Sequence, residues 1–98
     1  MGGVGLAVAP VDDVEHRAKV FKALADPNRL RLVLHLAQSG PASGVELAEA
    51  CGMSVALLSH HWKVLGEAGL LSSRREGQSR DCSLNVAALK EAVGALLG

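Results

Sequence analysis

The chain has no apolar run of the roughly 18 residues or more that a membrane-spanning helix needs, so membrane insertion is not expected. Its N-terminus carries neither the basic flank nor the long apolar stretch of a signal peptide, and a cytoplasmic protein is expected. A surplus of charge is also missing. Ten basic side chains balance ten acidic ones, which argues against nonspecific coating of nucleic acid. There is no glycine-rich phosphate loop and no serine, histidine and carboxylate set arranged around a cleft, so an enzyme is not expected. Cysteine is scarce. Cys51 and Cys82 are the only two, and in a cytoplasmic protein such thiols are ordinarily reduced. Their places in apolar or alternating positions fit small buried fillers, whereas a redox or persulfide switch would need them close in space.

What the chain does have is concentrated between Ser43 and Leu71. Ser43 and Glu46 form a capping-box pair, in which each side chain can serve the other residue's amide. Val45, Leu47, Ala48 and Cys51 supply an apolar face, and Gly52 offers the left-handed conformation that ends a helix. Ser54 can cap a second helix running to about Ala68 before Gly69. Leu58, Trp62 and Leu65 recur at helical spacing and face inward, with Met53 and Leu57 beside them. The opposite arc holds Ala56, Ser59, His60 and Lys63. Two short helices with so tight a turn read as a helix-turn-helix, and that arc as a face for the major groove. A plain solvated face has the same spacing. His61, on the inner flank, reads as a hydrogen-bonded packing histidine.

The following segment, Leu70 to Leu84, alternates and breaks near Glu76-Gly77, as a two-stranded hairpin with its tip between Glu76 and Ser79 would. Arg74, Arg75 and Arg80 crowd it. They can meet phosphate or a narrow minor groove, or they can simply protect an edge strand. Asp26 caps a further helix with Pro27 at its first position. Leu30, Val33, Leu34 and Ala37 face inward on it, and Arg29 either reaches phosphate or lies in solvent. Ser39 to Ala42 is a connecting loop.

With 98 residues, 49% of them hydrophobic, there is material for one core and apolar surface to spare. Residues 1–11 read as a flexible arm and residues 12–98 as a single domain. Asp12 can cap a first helix whose stripe is Val14, Ala18, Phe21 and Leu24. Asn85 can cap a last one with Val86, Leu89, Val93, Leu96 and Leu97. Packing both stripes, notably Val14, Ala18, Phe21, Leu89, Val93 and Leu96, against a twin would make a homodimer; closing the protomer core is the alternative. Asp12, Asp13 and His16 also share a helix start. Their donors suit Ni or Zn, although acids at a helix N-terminus are explained by its dipole alone.

Taken in order, Ala23 to Leu32, Glu46-Leu47-Ala48, Ser59-His60-His61-Trp62-Lys63-Val64-Leu65 and Glu67-Ala68-Gly69-Leu70 resemble the ArsR/SmtB family of winged-helix transcriptional repressors. The resemblance spans most of the chain. It implies a mainly α fold with five helices and a two-stranded wing, ordered ααααββα. It also implies a homodimer that binds double-stranded operator DNA through Ser54, Val55, Ala56, Ser59, His60, Lys63 and the wing arginines, and commonly releases it when an effector arrives. Two departures stand out. Many relatives have Gln and Ser where this chain has Val55 and Ala56, so hydrogen-bonded base reading falls to Ser59 and His60. The family's Cys-x-Cys metal site would occupy Ser43 and Val45, and its last-helix site is left with Glu91 as the one carboxylate. Alternatives are a weak DNA binder acting with a protein co-regulator, and a thiol-responsive repressor.

Overall fold

The structure is a computed structural model describing residues 11–76 and 79–97, with side chains described for residues 14–73 and 81–97. Its elements run α1 (Val11–Leu24), α2 (Pro27–Ser39), β1 (Ala42–Ser43), α3 (Gly44–Ala50), α4 (Val55–Glu67), β2 (Leu71–Glu76), β3 (Ser79–Leu84) and α5 (Val86–Leu97). The expected mainly α fold with a β wing is present. Residues 1–10 of the expected arm lie outside the described residues. Val11 already belongs to α1, so Asp12 sits inside that helix instead of capping it.

Capping chemistry sets the helix limits. Asp26 accepts from the amides of Asn28 at 2.8 Å and Arg29 at 3.1 Å, and Pro27 follows where a missing amide costs nothing. Ser43 and Glu46 make both halves of the capping box, at 3.1 and 3.0 Å. Asn85 caps α5 through the Ala88 amide at 3.2 Å, and its side-chain amide donates to the Gly69 carbonyl at 3.1 Å. These caps carry a pH dependence. Amide donation from Arg29 chiefly, then from Asn28, holds the Asp26 carboxyl below its ordinary 3.8. The Ser43 amide, then its hydroxyl, holds Glu46 below 4.5. Because both pKa values are lower folded than unfolded, the stability they contribute is full above the ordinary values and is lost as pH falls through the depressed ones. Asp26→Asn combined with Glu46→Gln is therefore expected to flatten the fall in Tm below pH 4.5, followed by circular dichroism.

The expected two-stranded wing is present, and a third strand joins it. Ala42–Ser43, read from sequence as loop and helix cap, adds a short strand to the hairpin, giving the antiparallel order β1-β3-β2 with Ala42 opposite Cys82 and Ser43 opposite Asp81. A strand of two residues is too short for alternation to reveal, and its partner lies far along the chain. The expected hairpin is β2 with β3, in register from Leu71 opposite Leu84 to Glu76 opposite Ser79; residues 77–78 at its tip lie outside the described residues.

The core draws Val20 and Ala23 from α1, Leu32, Val33 and Leu36 from α2, Leu47 and Ala48 from α3, Leu58 and Leu65 from α4, and Ala92 from α5. On α2 the expected inward face is wrong for three residues: Leu30 is 43% and Leu34 49% exposed, and Ala37 is exposed too, while Leu32 and Leu36 are buried instead. The segment from Leu30 to Ala37 has apolar residues around most of its circumference, so spacing alone could not choose the side; contacts with α1, α4 and β3 do. Val45 and Leu57, also expected inside, are exposed. Each lies in the first turn of its helix, where the chain enters from the surface.

Candidate nucleic-acid interface

Helix α4 owes its placement to two turns of the same kind. At its entry Gly52, at φ +68°, donates to the Glu49 carbonyl at 3.2 Å while Met53 donates to Ala48 at 3.0 Å. This is the paired bonding that closes a helix through a left-handed residue. At its exit Gly69, at φ +78°, donates to Gly66 at 2.9 Å and Leu70 to Leu65 at 3.1 Å. Between them Ser54 caps α4 through the Leu57 amide at 3.1 Å. Ser54→Ala is expected to cost about 1 kcal/mol, read as a lower denaturation midpoint with an unchanged m-value.

Leu58, His61 and Leu65 form the buried side of α4, with Trp62 partly buried beside them. Ser54, Val55, Ala56, Ser59, His60 and Lys63 are exposed. The predicted outward arc of Ala56, Ser59, His60 and Lys63 is therefore a real surface, made of a methyl group, a hydroxyl, an imidazole and an ammonium. The His60 ring sits edge-on to His61, centroids 5.3 Å apart.

His61 is 5% exposed, as a packing histidine should be, and its partner is one the sequence did not suggest. Arg29 neither reaches outward for phosphate nor lies in solvent. Its Nε donates to the Ala23 carbonyl at 2.7 Å, and its Nη1 lies 3.4 Å from His61 Nδ1. A guanidinium only donates, so Nδ1 is the acceptor and the imidazole proton belongs on Nε2, which is buried with no hydrogen-bond partner among the described residues. Arg29 thus ties the end of α1 and the start of α2 to the inner side of α4. The available signal was His61 on the inner flank of one helix and a capped helix start holding Arg29, with no local pattern to join them.

On the hairpin, Arg74 is registered opposite Asp81, and Arg75 opposite Arg80. The side chains of Arg74, Arg75 and Arg80 lie outside the described residues, as do those of Asp12 and Asp13. His16 is exposed on α1. Among the described residues no group of three or more His, Cys, Asp or Glu could hold a metal ion. Cys51 and Cys82 are both buried and outside any disulfide. Burial pushes the Cys51 thiol up against a smaller opposing effect of Arg31, leaving it little thiolate with which to react or ligate.

Of the expected dimer residues, Val14, Ala18, Val93 and Leu96 are exposed, while Phe21 and Leu89 pack partly against the core. The protomer covers α1 through Val20 and Ala23 and α5 through Ala92. It leaves Leu96 70% and Leu97 82% exposed.

Capped helix, tight turn, two-sided second helix and β hairpin define a winged helix-turn-helix protein. A family model described as a helix-turn-helix domain matches residues 24–74. The transcriptional repressor SdpR of Bacillus subtilis is 36% identical over 78 residues, 80% of this chain and 86% of that protein. An ArsR-like transcriptional regulator from Rhodococcus sp. RHA1 superposes with a TM-score of 0.81 at 26% identity, covering 88% of this chain and 80% of that one. The homodimeric winged helix-turn-helix DNA-binding domain of Mb0332 from Mycobacterium bovis, a possible ArsR-family regulator, does so with a TM-score of 0.76 at 26% identity, covering 99% and 88%. The chain belongs to the ArsR/SmtB family of winged helix-turn-helix transcriptional regulators.

Proposed function

We propose that the chain is a homodimeric repressor in which α4 of each protomer enters a major groove of operator DNA and the β2–β3 hairpin meets flanking phosphates. The observation that carries this reading is the two-sidedness of α4: Leu58, His61 and Leu65 are sealed in the core while Ser59, His60 and Lys63 are exposed opposite them. Ser59 and His60 hydrogen-bond base edges, Val55 and Ala56 lie against thymine methyls, and Lys63 neutralises a phosphate, with Ser54 at the helix end nearest the backbone. The register sets Arg75 opposite Arg80 and Arg74 opposite Asp81, so the hairpin places basic positions on adjacent strands.

Dimerisation through α1 and α5 is supported by the apolar surface those helices leave exposed, and the Mycobacterium bovis relative is itself homodimeric. No described helix is long and apolar enough to cross a membrane, and a repressor would work in the cytoplasm, where its operator is. The test is an anisotropy titration of a duplex from the chain's own upstream region against a random duplex. Discrete, salt-sensitive binding is expected, tighter than to the random duplex by on the order of a thousandfold. Equal binding would overturn the reading and favour a co-regulator, for which Leu30 and Leu34, exposed on α2, offer a docking face.

A further inference from the structure

The outward face of α4 is not flat. Beside it a hollow of about 330 Å³ opens toward the sheet, lined by Gly44, Val55, Leu58, Ser59, Trp62, Lys63 and Cys82. Such a volume lies at the small end of ligand sites, which span roughly 300–1,000 Å³. Its lining is selective in charge. Among the described residues, Lys63 is the one cation lining it, and no described carboxylate shares the hollow with it. The walls are apolar: Val55, Leu58 and the indole of Trp62 suit a flat hydrocarbon ring, and aromatic pairs favour stacked or edge-on contact. Ser59 supplies a hydroxyl that can complete the recognition of an anionic group.

We propose that this hollow binds a small aryl or arylalkyl carboxylate, its ring against Trp62 and Leu58 and its carboxylate on Lys63, and that occupancy excludes duplex DNA from α4. The exclusion rests on the reading of α4 as the groove-entering helix. Ser59 and Lys63 belong both to the lining and to the outward arc, and exposed Val55 lines the hollow beside them, so one ammonium cannot serve a bound carboxylate and a phosphate together. The site would give the regulator a release mechanism that uses no metal ligand and no thiol chemistry.

Trp62 is the only tryptophan and the chain has no tyrosine, so intrinsic emission reports on the wall of the hollow. The experiment titrates phenylacetate, and phenylacetamide as its uncharged counterpart, into the full chain without DNA. A saturable change in emission is expected with phenylacetate. Binding should weaken by about tenfold or more for the amide, and likewise for phenylacetate on Lys63→Gln, because each loses the charge-assisted hydrogen bond. Gly44 offers a plug: a Cβ there would lie 3.8 Å from Leu58 Cδ2, so Gly44→Leu is expected to fill the floor, abolish the emission response and retain duplex binding. Should that variant fail to fold, Lys63→Gln still decides, through its emission response alone, whether the hollow holds a carboxylate. In a parallel anisotropy assay, saturating phenylacetate should weaken duplex binding by about tenfold or more, in keeping with 1.4 kcal/mol per decade. Unchanged emission, equal response to acid and amide, or duplex affinity indifferent to saturating phenylacetate would overturn the proposal. A chain that binds duplex but not phenylacetate refutes the hollow alone. A chain that binds phenylacetate but no duplex refutes the groove reading, and the exclusion with it.

Discussion

Replacing Lys63 by alanine is expected to weaken operator binding by about tenfold to a hundredfold and to make it less sensitive to salt. Both effects arise from the same event. Each phosphate neutralised releases counterions, and log K falls with log salt at roughly 0.9 per phosphate. The proposed dimer would lose two such contacts at once, so the slope should become shallower by about 1.8. The exposed position of Lys63 means that the fold is spared: truncations at open surface sites usually stay within about 0.5 kcal/mol. His60→Ala makes the contrast. If His60 reads a base, that variant should lose preference among duplexes and keep the salt slope of the parent. An unchanged slope for Lys63→Ala would remove that residue from the phosphate contacts.

Leu65→Ala should act on the opposite side of the same helix and through stability alone. Leu65 is 0% exposed, and truncating its isobutyl side chain to a methyl loses transfer energy and leaves a cavity in the buried cluster that it shares with Leu32, Leu47 and Leu70, costing about 2–5 kcal/mol. Against a total of roughly 5–15 kcal/mol for a domain, that loss is large. Denaturant unfolding at matched protomer concentration checks it, since a dimer's apparent stability depends on concentration. Leu57→Ala, on an exposed residue of the same helix, should stay within about 0.5 kcal/mol.

What could be read from the sequence was the chemistry that acts within one turn of chain. Ser43 with Glu46, Ser54, Asp26 with Pro27, and the glycines at 52 and 69 all do locally what their residue types favour, so both ends of α4 and its outward arc were legible. The helix that fooled periodicity was α2. With Leu30, Leu32, Val33, Leu34 and Leu36 crowded together, several faces were apolar, and only packing partners distant in sequence decide which is inside. The pairing of Ala42 with Cys82 and the meeting of Arg29 with His61 were invisible for the same reason: each joins residues separated by whole elements.

Ser43 belongs to two structures at once. It is the last residue of β1, opposite Asp81, and it caps α3. The β finger therefore cannot swing without breaking either a ladder rung or a helix cap, and the helix pair behind it would be dragged along. Finger and reading helix behave as the two jaws of a fixed caliper. In the proposed homodimer, a mismatch between the operator's spacing and the protein's grip would then have to be absorbed by the two protomers tilting on one another, which would make the seam between them, rather than either jaw, the place where half-site separation is measured.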